Sequence, residues 1–139
     1  MPSVFTFQRR VEFCETDAAG IAHFSALIIY MEQAEHALLR SLGLSVSATD
    51  ASTNSILSWP RVRVECDFHS PAKFEDLISS QVGVSSLGTK SITFQHQLSI
   101  GNTVIAIGKM TSVCCAKDNG TLSSVKIPLH VRELLVPYL

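Results

Sequence analysis

The sequence predicts an α+β domain in which one long helix covers an antiparallel sheet of about five strands. Three patterns carry that expectation. Residues 4–13, VFTFQRRVEF, place apolar side chains at Val4 or Phe5, Phe7, Val11 and Phe13, close to the alternation of a strand with one buried face. From Ser25 to Leu42 the period changes, with Leu27, Met31, Ala34, Leu38 and Leu42 recurring at spacings of three and four. Residues 61–116 then divide into four strand-like segments at clusters of turn-forming residues.

The first strand therefore runs over 4–13 and the helix over 25–42, where Gly43 ends it. On the helix's polar side Glu32, His36 and Arg40 follow one another at i+4 and can pair along the surface. Residues 45–55, SVSATDASTNS, are small and polar without a period, so they form a connecting loop. After Trp59-Pro60 the strands are Arg61–His69, Leu77–Ser86, Ser91–Ile100 and Thr103–Ala116, separated by Ser70-Pro71-Ala72, Leu87-Gly88-Thr89 and Gly101-Asn102. Short connections predict that consecutive strands pair as a meander, and residues 128–137 predict a short terminal helix between Pro128 and Pro137. One helix on a bent antiparallel sheet is the hotdog arrangement. Its uncovered edges and residual apolar surface favour dimers or larger assemblies.

At 139 residues the chain suits a single domain spanning 1–139, and a formal net charge of -1 does not favour nucleic acid as a partner. The apolar runs are too short for a membrane span, and the N-terminus has no basic region followed by an apolar one, so a cytoplasmic protein is expected. Cys14, Cys66, Cys114 and Cys115 have no Cys-x-x-Cys spacing and read as reduced, mostly packed thiols; no metal is expected. Cys114 and Cys115, adjacent on a strand, should point to opposite faces.

Chemistry concentrates in Glu15-Thr16-Asp17-Ala18-Ala19-Gly20-Ile21-Ala22-His23-Phe24. Asp17 lies between the first strand and the helix, where unpaired backbone N–H groups and the helix dipole favour negative charge. A carboxylate there can act as nucleophile or general base, or can serve as an Asx-turn or helix-entry cap.

The segment VEFCETDAAGIAHFSALIIYMEQAEHALLRSLG, together with CDFHSPAKFEDLI, the turn Gly88-Thr89-Lys90-Ser91 and the region of Gly101 and Ala106-Ile107-Gly108, resembles the 4-hydroxybenzoyl-CoA thioesterase family of hotdog proteins over nearly the whole chain. The resemblance implies hydrolysis of an acyl-CoA thioester to acid and CoA. It implies no cofactor beyond the CoA of the substrate, and a dimer of dimers. Asp17 then attacks the carbonyl or activates water, Gly20 lets the substrate approach, and main-chain N–H groups near His23 and Phe24 hold the oxyanion. Some relatives carry a histidine where this chain has Phe24, which argues for an Asp-only site, and Leu27 stands where tyrosine is common. Lys90 matches a CoA-phosphate position, with Arg61, Arg63 and Lys73 as supplements and Ser91 as a cleft residue.

Other hotdog thioesterases place the carboxylate on the helix, so Glu32 and Glu35 are candidates for substrate reading; their structural alternative is an inter-subunit or i+4 ion pair. Trp59 is expected to pack. Two other functions compete: a dehydratase or hydratase, which typically needs a histidine at the helix entrance, and a non-catalytic acyl-CoA or acyl-carrier binding protein.

Overall fold

The computed structural model of the chain describes residues 1–50 and 55–139. Strand β1 (Phe5–Arg10) is followed by helix α1 (Phe24–Ser41), a short hairpin of β2 (Ala48–Asp50) and β3 (Ser55–Ser58), and the strands β4 (Arg61–Phe68), β5 (Leu77–Leu87), β6 (Ser91–Ile100) and β7 (Thr103–Val113). A second hairpin, β8 (Cys115–Asp118) and β9 (Thr121–Ser124), precedes helix α2 (Leu129–Leu135). The main sheet is antiparallel with order β1-β5-β6-β7-β4, and a smaller sheet has order β2-β3-β8-β9.

Several expectations need correction. The first strand stops at Arg10: the Val11 carbonyl and N–H are taken by Glu75 and Asp76, and a 3-10 turn at Phe13–Glu15 follows, leaving Phe13 exposed. The proposed 45–55 loop contains β2 and the start of β3, while the part at 51–54 lies outside the described residues. The meander holds only for β5, β6 and β7. Strand β4 pairs with β7 at the far edge, Val64 opposite Met110, because positions 69–76 can extend about 26 Å and three strand spacings need only about 14 Å.

The last predicted strand also divides. Cys114 turns its N–H to the Lys90 carbonyl and accepts from Val125 N–H, so the chain leaves the main sheet and β8 joins β3. Being outside both strands, Cys114 escapes the alternation, and both it and Cys115 are buried. The terminal helix is shorter than expected, with Pro128 as its N-cap and Pro137 in a following 3-10 turn.

Helix α1 ends in a Schellman motif, with Gly43 N–H donating to Arg40 O and Leu44 N–H to Leu39 O. Its buried side packs on the main sheet in two apolar groups. One, around Tyr30, Met31, Ile78, Leu98, Ile105 and Met110, lies under its first half; the other, around Leu38, Val82, Phe94, Cys114, Val131 and Leu135, lies under its second half and α2. Between them Glu35 faces His96, both buried. No helix among the described residues is long and apolar enough to cross a membrane.

Candidate functional site

Asp17 occupies a tight hairpin rather than a strand end. Its N–H donates to Ile21 O at 2.8 Å, Gly20 N–H returns to Asp17 O at 3.0 Å, and Thr16 bridges Ala22. Gly20 closes the three-residue loop at φ +79, a conformation that side chains resist, while a Cβ there would meet nothing within 4 Å. Backbone geometry, rather than space within this chain, therefore explains the glycine. The half-buried Asp17 carboxylate accepts from Ala19 N–H at 2.8 Å and Ile21 N–H at 3.3 Å, both on Oδ1. Its Oδ2 accepts no hydrogen bond among the described residues.

This hairpin is tied to the body of the protein two residues earlier. Glu15 Oε1 accepts from the Tyr30 hydroxyl at 2.8 Å and from Glu12 N–H at 2.8 Å, and pairs with the Arg9 guanidinium. Arg9 also donates to Gln33 Oε1 at 2.7 Å and lies 4.1 Å from the Tyr30 ring centroid. Burial, reinforced by the Glu15 hydrogen bond and charge, pushes the Tyr30 hydroxyl far above the usual tyrosine range, so it stays a donor. Strand β1, helix α1 and the Asp17 hairpin thus meet on one carboxylate.

The helix start is largely occupied. His23 is the N-cap: its Nδ1 accepts from Ser25 N–H at 3.2 Å, and its carbonyl from Ala26 N–H at 2.9 Å. His23 N–H itself donates to Glu15 O at 2.8 Å, so that amide is already engaged. Phe24 N–H donates to nothing among the described residues. The Phe24 ring is exposed, stacked 4.5 Å from His23 and edge-on to Phe68.

Lys90 and Ser91 lie elsewhere. The Asp17 hairpin is anchored through Ala22 N–H to Ala72 O, beside the Leu77 end of β5, whereas Lys90 follows its Leu87 end, about 30 Å of strand away. Lys90 is exposed, with Nζ 3.5 Å from Ser124 Oγ, and Ser91 is half-buried at the start of β6. One chain does not bring Lys90 and Asp17 together.

At that far end Arg61 gathers both helix glutamates. Its Nη1 donates to Glu35 Oε1 at 2.8 Å and to Ser112 Oγ at 3.1 Å, while Nη2 reaches the exposed Glu32 Oε2 at 3.3 Å. Glu32 thus pairs across to the sheet rather than along the helix. Glu35 Oε2 faces His96 Nε2 at 3.3 Å, and His96 Nδ1 is buried without a partner among the described residues. Trp59 packs against the apolar group beside this cluster. His96 escaped the sequence reading, although its place in the alternation Ile92, Phe94, His96, Leu98 was a signal: a histidine on an apolar face needs a partner.

Comparison with known proteins agrees with this fold. Residues 11–135 match the Thioesterase-like superfamily. An Aquifex aeolicus protein is 31% identical over 132 residues, covering 94% of this chain and 97% of its own. A 1,4-dihydroxy-2-naphthoyl-CoA hydrolase of Synechococcus elongatus is 26% identical over 131 residues, covering 94% of each chain. Among solved structures, a Synechocystis 1,4-dihydroxy-2-naphthoyl-CoA thioesterase superposes with a TM-score of 0.84 at 20% identity, covering 96% of each chain. A 4-hydroxybenzoyl-CoA thioesterase superposes with 0.79 at 19% identity, covering 95% of this chain and 98% of the other. The chain belongs to the Thioesterase-like superfamily, as a hotdog-fold thioester hydrolase.

Proposed function

We propose that the chain hydrolyses an acyl- or aroyl-CoA at Asp17, using Phe24 N–H as oxyanion donor, in a homo-oligomer whose subunits share each site. The observation that carries this reading is the hairpin itself: among the described residues it presents one carboxylate with an open oxygen and, seven residues on, the helix's first N–H without a partner. Asp17 attacks the thioester carbonyl, or removes a proton from an attacking water. Negative charge develops on the carbonyl oxygen, which Phe24 N–H and the α1 dipole stabilise; the C–S bond then breaks and CoA departs. The water route leaves free acid, and the nucleophilic route leaves an acyl–Asp17 anhydride that water hydrolyses to free acid and the regenerated carboxylate. Gly20 sets the hairpin; His23 caps the helix and keeps Phe24 in place.

Assembly follows from the sheet edges. Both β1 and β4 are edges, but β4 exposes Val62, Val64 and Phe68 alongside Arg63, Glu65 and Asp67, whereas the exposed side chains of β1 are Thr6, Gln8 and Arg10. Unpaired strand edges with apolar side chains favour pairing with another strand. Two β4 strands paired antiparallel about a two-fold axis bring the Phe68 end of one copy to the Arg61 end of the other. Asp17 of one subunit then approaches Arg61, Glu32, Ser91 and Lys90 of the second, where Lys90 serves CoA phosphate and Glu32 the substrate.

The test is thiol release from benzoyl-, phenylacetyl-, short- and long-chain acyl-CoAs, with gel filtration alongside. Release from at least one substrate by an oligomer is expected. Saturable binding with no release from any would favour a binding protein, and an active monomer would reject the shared site.

A further inference from the structure

A partly open apolar cavity flanks the second half of the core. A cavity of about 340 Å³ lies between α1, the β2–β3 hairpin and α2, with Leu39, Leu57, Phe94, Val131 and Leu134 among its mostly apolar walls. Protein interiors seldom leave voids larger than a water molecule, and apolar voids stay dry and take apolar guests. Trp59, Val46, Glu35 and Ser112 line both this cavity and an open cleft that also holds Arg61 and Glu32. The apolar space therefore continues into the cleft that the shared site would use.

We propose that this cavity is the acyl pocket for a thioester seated on the Asp17 of a second subunit, and that it selects apolar acyl groups of about ten carbons, linear or as two fused rings. This rests on the proposed shared site. The size follows from volume: an apolar cavity of about 150 Å³ holds benzene, and this one is about twice as large. Its one buried carboxylate, Glu35, has both oxygens engaged by Arg61 and His96, so the walls offer little to a charged tail. Selection is then by length and shape, with the cleft residues meeting the polar thioester end.

The test is kcat/KM for acetyl- to dodecanoyl-CoA, with benzoyl- and 2-naphthoyl-CoA as ring-bearing arms, in wild type, Leu134→Trp and Leu134→Ala. Leu134 borders the cavity but is partly exposed, and its two substitutions act in opposite directions. Wild-type kcat/KM is expected to rise by about fourfold per methylene until the cavity is full. Leu134→Trp shortens the preferred chain, Leu134→Ala lengthens it, and 2-naphthoyl-CoA exceeds benzoyl-CoA in the wild type. If the tryptophan variant does not fold, the lengthening by alanine remains the decisive arm.

A wild-type profile flat with chain length, or variants that scale every substrate equally, would overturn the proposal. Asp17→Asn, assayed in parallel, separates the two ideas: an inactive variant beside a flat wild-type profile rejects the cavity alone, whereas an active variant with the length preference intact rejects the Asp17 chemistry alone.

Discussion

The two halves of the core differ in how they treat a carboxylate and in how tightly they pack. Under the first half of α1, a Cβ on Gly108 would lie 2.8 Å from Met31 Sδ and 2.9 Å from Glu65 O, so helix and sheet are in close contact. Above this packed half, Asp17 keeps an oxygen open. Beside the second half a partly open cavity separates the helix from the β2–β3 hairpin and α2, and the buried carboxylate there, Glu35, is engaged by Arg61 and His96. The packed half can fix a reacting group, because its neighbours have no room to move. The half with the cavity can receive a guest. The buried Glu35–His96 pair marks the boundary.

Substitutions on the two sides should separate activity from stability. The largest expected effect on turnover is at Asp17: Asp17→Asn keeps an acceptor for Ala19 and Ile21, so denaturant unfolding should change by less than about 0.5 kcal/mol while turnover falls roughly 10³-fold. Glu35→Ala reverses that emphasis. It strands the buried His96 and leaves Arg61 only Ser112 and Glu32, and is expected to cost about 3 kcal/mol in chemical denaturation. Gly108→Ala forces the packed half apart and should cost about 1–3 kcal/mol, read the same way.

The smallest effect concerns Tyr30. Its folded hydroxyl titrates far above the free value of 10.0, so its contribution to stability is whole below that value. As pH rises past it the unfolded chain ionises first, and the contribution is lost on the way to the folded value. Tyr30→Phe should remove about 1 kcal/mol at neutral pH and flatten this alkaline loss, both visible in denaturation measured across pH. An unchanged alkaline slope would show that the fold does not hold Tyr30 in its protonated form.

Local signals carried most of the fold. The three-four spacing of Leu27, Met31, Ala34 and Leu38 set α1 to within a residue at each end, and turn residues bounded β5 and β6 closely. The neighbour of β4 was not legible, because pairing to β7 depends on a crossover that short turns do not encode. β2, β8 and β9 are three or four residues long, too short for alternation to stand out. At the site, the 15–24 motif pointed to Asp17, yet it could not show that Glu15 had already taken His23 N–H. His96 and Arg61 reach Glu35 from strands distant in sequence, and only the folded sheet brings them together.

The most direct test of the account measures thiol release and substrate dissociation constant together for wild type and Asp17→Asn, using the CoA thioester that the wild type turns over fastest. A dissociation constant within about threefold of wild type is expected, since uniform binding is untouched, with most turnover gone. Wild-type turnover by Asp17→Asn would contradict it.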